Sequence, residues 1–567
     1  MKTRPIISRT ELFLSTKVVT SVFSVLITVC TLFLLTDCKN DTTKSETKQV
    51  TTDSAEKVHV AFAGGGWRAH TAHSAWTISL LDNGTKKLND IFSNVGTVSS
   101  NSGGSWFSTM LMYSADFVSD IEAKDAANSW TTTSGWTGKQ RKLFDAAGCN
   151  NKPEDIYLEC VFDYYTNVSF TGGTYWKLVV EDLVFRDYSL GGTTLKAPHQ
   201  TWAADKSLLL ASTLLTNTAV LNSENDLGNN HNYYQACLSP ATPVLDGDSG
   251  SDCSNGIPPD VTPVTFSSVP KSADYQPSPF LSELGTNTKS SVFNLGYTAD
   301  FVFKKAPEYA SSLELPLHSD NVPVMVAAAA SSAALGFGAS ERITGIFDLS
   351  YTLADDAVSF GLANSNVQYV NTEGIELEEL ANQKVVRLAD GGAVDNSGVA
   401  QLVRSLQLNN QAEGFNIVAF DNVSTITNPR KGAANVGVDI ASLFGFKDSL
   451  CIDIKVAQYC IIAPDLQIFD STPLYSTAAT WTYEAGGNQL VYTKYEITTK
   501  ENVTLGISRG TRGTLHSFTC AYPDAATAPV DGDTNFDAYA AMFKFINSGL
   551  NKNNGEGLKH LQAALGL

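Results

Sequence analysis

The chain has 567 residues, 43% hydrophobic and 17% charged, the balance of a globular protein with material for a large core. A formal net charge of −19 and a pI near 4.8 argue against nucleic acid as a partner, because no basic patch offsets the repulsion of phosphates. The same charge opposes tight electrostatic docking on strongly anionic membranes.

Lys2, Arg4, Arg9 and Lys17 precede Val18 to Leu35, an uncharged apolar run just long enough to span a bilayer. Residues 1–38 therefore read as a cytoplasmic tail with an uncleaved signal anchor, a cleaved signal peptide being the alternative. The anchored reading makes the bulk of the chain lumenal or extracellular, and the cleaved one makes it secreted. A lipobox ending at Cys38 is disfavoured by Asp37. Residues 39–57, rich in Thr, Ser, Lys and Asp, read as a flexible stalk, and residues 58–567 as the folded domain.

The chemistry-bearing stretch opens that domain. His59 to Ala63 is an apolar, strand-like run that breaks into Gly64-Gly65-Gly66-Trp67-Arg68-Ala69 and about a dozen residues of helical character. Val95 to Val98 reads as a second buried strand, and Ser99 to Trp106 as a glycine turn into a helical run from Phe107 to Tyr113. Strand, glycine turn and helix, repeated, point unpaired amides outward at two helix N-termini. Ser102, with Ser100, Gly103 and Gly104 around it, fits a nucleophile elbow, although Ser100 stands where a glycine is usual. Gly64, Gly65, Gly66 and Gly103 can supply oxyanion-hole amides. Arg68 can hold an anionic head group. A phosphate-binding loop is the weaker reading of the glycine run, since no G-K-[ST] or G-x-G-x-x-G follows.

Gly-Gly-Gly-Trp-Arg-Ala followed by Ser-Gly-Gly-Ser-Trp resembles the catalytic core of group IV cytosolic phospholipase A2 and the fungal lysophospholipases (phospholipase B), within the patatin-like group. That resemblance implies a three-layer α/β/α fold with a central, mainly parallel sheet. It also implies a Ser/Asp dyad, with the acid in a D-G-[GA] turn after a later strand. Asp390-Gly391-Gly392 has that form, so the implied dyad is Ser102 and Asp390, with no metal or cofactor. The implied substrate is a phospholipid or lysophospholipid, cleaved through an acyl-serine. The stretch Val322 to Ala334 is similar to the small-residue helix beside the nucleophile in that group; it is too short and alanine-rich to span a membrane. The resemblance covers residues 57–115 and 320–400, and leaves no room for a calcium-binding C2 module before the domain.

Three rival readings stay open. His516 and His560 follow the acid and allow a Ser/His/Asp triad acting on non-lipid esters; His70 and His73 lie near the glycine turn. A catalytically idle lipid-binding or cell-surface relative is the second, and a transacylase the third. Residues 116–321 read as a lid-like insertion, with Trp130 and Trp136 as candidate lipid contacts and a helical run from Leu208 to Leu221. Short apolar runs at Ile417 to Phe420 and Val503 to Ile507 suggest strands, and Phe536 to Leu567 a closing helix. Cysteine spacing suggests the pairs Cys149 with Cys160, Cys237 with Cys253 and Cys451 with Cys460, leaving Cys520 free or joined to Cys38. No C-x2-C or clustered histidine supports zinc. Asn40, Asn83, Asn167, Asn422 and Asn502 begin glycosylation sequons.

Overall fold

A computed structural model describes residues 57–82, 84–146, 180–195, 197–216, 260–268, 290–294, 299–304, 323–332, 351–352, 387–408, 414–423, 426–446, 450–454, 457–461, 466–502, 505, 507–523 and 532–567. Sixteen strands are numbered in chain order: β1 Val58–Phe62, β2 Val95–Asn101, β3 Ser207–Thr216, β4 Asp260–Ser267, β5 Ser290–Asn294, β6 Ala299–Lys304, β7 Tyr351–Thr352 and β8 Arg387–Asp390. They continue with β9 Phe415–Val423, β10 Ile426–Thr427, β11 Val436–Gly437, β12 Leu450–Ile454, β13 Ala457–Ile461, β14 Trp481–Ala485, β15 Asn488–Thr498 and β16 Arg512–Ala521. The helices that bear on the site are α1 Gly66–Leu80, α2 Ser102–Tyr113, α3 Val324–Ser331, α4 Val399–Leu408, α5 Val438–Leu443 and α6 Gly532–Ala564. The last is interrupted by non-helical backbone at Lys552, Asn553, Asn554 and Gly555.

The fold is α/β. A sheet of twelve strands runs β14-β15-β16-β9-β1-β2-β3-β4-β6-β5, with β8 pairing β3 and β7 pairing β8. Its centre, from β16 through β9, β1 and β2 to β3, is parallel, and the flanking pairs are antiparallel. A parallel centre must be covered on both faces, and so its strands are apolar on both sides. In β1 all five residues are buried: Val58, Val60 and Phe62 pack into one core with residues of α1, α2, α3 and α6, while Ala61 packs into another with α4 and α5. Phe62 stacks on Phe420 of β9 at 5.3 Å and meets Phe107 of α2 edge-on at 5.0 Å. Two helical layers around one sheet are the three-layer arrangement expected from the sequence.

β3 corrects the sequence reading. Leu208 to Thr216 is strand, not helix, and it lies beside β2 in the sheet although it falls within the span read as an insertion. Leu208 and Leu210 join one core and Leu209 the other, as period-2 geometry requires. Trp130 and Trp136 are likewise buried, so neither reaches a lipid surface. Burial also removes two sequons from use in the folded protein: Asn422 is 1% exposed and Asn502 8%. Cys451 stands opposite Cys460 across the β12–β13 hairpin, and Cys520 is buried and free. The pairs Cys149 with Cys160 and Cys237 with Cys253, the apolar run Val18 to Leu35, the stalk and the sequons at Asn40, Asn83 and Asn167 lie outside the described residues, as does most of the run Val503 to Ile507. Among the described residues no helix is long and apolar enough to cross a membrane.

Candidate active site

The register of β3 brings the two key turns together. The last residue of β2, Asn101, pairs with Ala211; the next residue on β3, Ser212, pairs with Asp390, the last residue of β8. β8 thus takes up the edge of β3 where β2 leaves it. Ser102 follows Asn101 and Gly391 follows Asp390, so both turns leave the sheet at the same rung.

The first turn is tighter than the sequence reading had it. β2 continues to Asn101, and α2 begins at Ser102 itself, which adopts φ 48°. Left-handed backbone at a residue with a β-carbon costs about 1–3 kcal/mol and persists only where the surroundings enforce it. Here they do: a β-carbon on Gly103 would collide with the Gly66 carbonyl, and one on Gly104 with the Phe62 carbonyl. The two glycine turns are packed against each other with no room for side chains. Their conformations differ in turn, with Gly65 at φ 126° and Gly66 at φ 59°.

Ser102 Oγ donates to Asp390 Oδ2 at 2.7 Å. Asp390 Oδ1 accepts the Gly392 amide at 2.7 Å, and a β-carbon on Gly391 would collide with Asn101 Oδ1 and the Ala211 carbonyl. Burial pushes the Asp390 carboxyl up to about 6, against the opposing pull of bonds from the Ser102 hydroxyl, the Gly392 amide and the Asn101 side chain; the charge of Asp439 adds to the rise. Asn101 Nδ2 also donates to Asn396 Oδ1 at 2.9 Å, and Asn396 Nδ2 to Asp439 Oδ2 at 2.7 Å. These asparagines escaped the sequence reading, because asparagine beside a turn has no signature that separates it from ordinary turn chemistry.

The amides divide into committed and available. Gly64 donates to the Asn396 carbonyl at 2.9 Å and Ser102 donates its amide to Ser331 Oγ at 3.1 Å. Gly64 is thereby committed to holding its turn against the Asp390–Asn396 segment, a correction to its place among the expected oxyanion donors. Gly65 and Gly66 at the start of α1, and Gly103 in the first turn of α2, have no intrahelical acceptor by position. Arg68 lies in the first turn of α1, half-buried, and its charge pulls the raised carboxyls of Asp421 and Asp439 back down.

The histidines serve elsewhere. His70 is buried and stacks on Trp136 at 4.2 Å, and burial holds its ring well below the ordinary imidazole range. His73 Nε2 bonds the Ala63 carbonyl at 2.8 Å and is pushed down to about 3 by burial. His516 Nδ1 meets the Tyr492 hydroxyl at 2.9 Å, and His560 packs on the Tyr492 ring. None of the four is a partner of Ser102, whose hydroxyl goes directly to Asp390. Among the described residues no group of acidic, histidine and cysteine side chains could hold a metal ion.

No family model matches the sequence, and no curated protein matches it. Among solved structures the chain is similar to human GIVD cytosolic phospholipase A2, at 11% identity and a TM-score of 0.35. The match covers 90% of this chain and 63% of that one, so the chain spans less than two thirds of its length.

Proposed function

We propose that the protein hydrolyses acyl esters through a Ser102–Asp390 dyad, with phospholipids or lysophospholipids as substrates. The observation that carries the reading is the direct 2.7 Å bond from Ser102 Oγ to Asp390 Oδ2 at the head of a helix. In the first half-reaction Ser102 Oγ attacks the ester carbonyl while its proton passes to Asp390 Oδ2. The tetrahedral oxyanion is met by the amides of Gly65, Gly66 and Gly103, and each such donor is worth about 3 kcal/mol. Collapse breaks the bond to the leaving alcohol, which takes the proton back from Asp390 and leaves acyl-Ser102. Water then attacks the acyl-serine, gives its proton to Asp390, and the second collapse returns it to Ser102 as the fatty acid departs.

A carboxylate with an ordinary pKa is a poor base for a serine hydroxyl. Burial that lifts Asp390 to about 6 narrows the mismatch and, because that value still lies below neutral, leaves the group ionised at neutral pH, as a general base requires. The lipid part of the proposal rests on the likeness of the two glycine motifs to those of the phospholipases, with Arg68 offered to the anionic head group. A membrane anchor at Val18 to Leu35 would hold such an enzyme beside its substrate, and we include that attachment in the proposal.

Labelling the purified protein with a fluorophosphonate probe and mapping the adduct tests the dyad. An adduct on Ser102, absent from Ser102→Ala, is the expected result, followed by fatty-acid release from phospholipid or lysophospholipid vesicles. A folded protein that takes no label with or without vesicles would replace the reading with that of an idle, lipid-binding relative.

A further inference from the structure

We infer that Ser331, at the last residue of α3, is a positioning residue for the dyad, holding the nucleophile turn and the acid turn at once. This rests on the proposed hydrolase reading and adds a third element to it. The Ser331 hydroxyl accepts the Ser102 amide at 3.1 Å, and its own main-chain carbonyl accepts the Gly391 amide at 3.2 Å. The residue is fully buried, so neither bond competes with water.

The direction of the two main-chain amide bonds is fixed by chemistry. The Ser102 amide can only donate, so Ser331 Oγ must accept it and must send its own proton elsewhere. Ser105 Oγ lies 2.7 Å away, and either hydroxyl of this pair can be the donor. The line of hydroxyls runs on beneath the elbow, from Ser105 to Ser100 at 3.4 Å and from Ser100 to Ser108 at 2.6 Å. The left-handed Ser102 is therefore held through its amide while its hydroxyl donates to Asp390.

α3 is itself anchored for this task. A helix leaves its last four carbonyls without intrahelical donors, and a buried end needs all four satisfied. Ala328 accepts the Ser332 hydroxyl at 2.9 Å, Ala329 the Ser332 amide at 3.1 Å and Ala330 the Ser212 hydroxyl at 3.0 Å, and Ser331 accepts the Gly391 amide. Ser212 is the residue of β3 that pairs with Asp390. The end of α3 is thus tied to the strand that sets the rung, to the acid turn and to the nucleophile turn. The run of alanines lets this happen, since α3 is buried at every position with side chains too small to hold it off.

The test compares Ser331→Ala and Ser331→Thr, each confirmed folded by near-UV circular dichroism, on a soluble short-chain ester and on the fluorophosphonate probe. Ser331→Ala is expected to lower kcat and the labelling rate together by about tenfold to 100-fold, with KM unchanged, because a reacting atom is misplaced and binding is not. Ser331→Thr, which keeps the hydroxyl, is expected to restore most of both rates. Should Ser331→Ala not fold, Ser331→Cys takes its place, filling the volume with a weak acceptor. A folded Ala or Cys variant with wild-type rates and only a lower Tm would overturn the inference, as would equal losses in the Thr variant. Failure of wild-type protein to label at all would instead strike at the hydrolase reading.

Discussion

Two residues carry consequences that their chemistry alone would not. Ser102 pays about 1–3 kcal/mol for left-handed backbone at φ 48°. Ser102→Gly and Ser102→Ala should both abolish turnover, but only the glycine variant is expected to gain stability, by about 1 kcal/mol in calorimetry. Equal stability of the two would show that the backbone there is relaxed. Asp390 carries a folded-state pKa raised to about 6 from 3.8, so between those values the folded protein binds a proton that the unfolded chain does not. Its ionised form therefore costs stability, a cost that is complete above pH 6 and vanishes below pH 4. Asp390→Asn should raise stability at pH 8 by roughly 2–3 kcal/mol, converge with wild type near pH 4 and abolish turnover. The wild-type rate should fall as pH drops through about 6. Ser102, Asp390 and the glycines could be found in the sequence because strained turns and oxyanion loops demand particular residue types. Ser331 could not: its partner Ser102 is 229 residues away, and a serine at the end of a helix has no signature of its own.

At the scale of elements, β3 shows where pattern reading stops. Ser-Leu-Leu-Leu-Ala-Ser-Thr-Leu-Leu-Thr has no alternation, because both faces of a central strand are buried, and a continuous apolar run fits a buried helix as well. Its flanks, rich in polar and small residues, made a lid the natural home for it. β1, β2, β8 and β9 were legible because each ends in a glycine turn or stands as a short isolated apolar run. The corrected position is testable. Leu210→Ala should cost about 2–5 kcal/mol in denaturant unfolding, as for a fully buried leucine; a residue in a lid would cost under about 0.5 kcal/mol. Gly103→Ala should be worse for activity than for folding, since the collision with the Gly66 carbonyl can be relieved only by parting the two turns. A Gly103→Ala variant that labels at the wild-type rate would show that the turns are not in contact.

For the whole molecule, opposing sets of buried titratable groups shape the response to acid. Asp390, Asp395, Asp421 and Asp439 all have carboxyls raised chiefly by burial, so each adds stability as pH falls toward the unfolded value near 4. His59, His73 and His516, held down to about 4, 3 and 4, again chiefly by burial, refuse protons that the unfolded chain accepts near 6.5, and so remove stability as pH falls from there. The two trends cross the same window. Asp390→Asn, which removes one of the carboxyls that oppose the histidines, is expected to tilt thermal stability between pH 6.5 and 4.5 downward on the acid side relative to wild type. A wild-type curve already falling steeply from pH 6.5 would show the histidines dominating.

The parallel centre also dictates an order of events at the ribosome. β1 and α1, which carry the glycine turn, are made early, but β1 is flanked by β2 and by β9, and α1 packs under α6 near the C-terminus. Asp390 is synthesised 288 residues after Ser102, and β16 and α6 later still. Ser102 thus emerges long before Asp390, its hydrogen-bond partner, and before the helix that packs on α1. On the proposed hydrolase reading, a product truncated before α6 lacks the helix that packs on α1 and is expected to be inert and not merely slow.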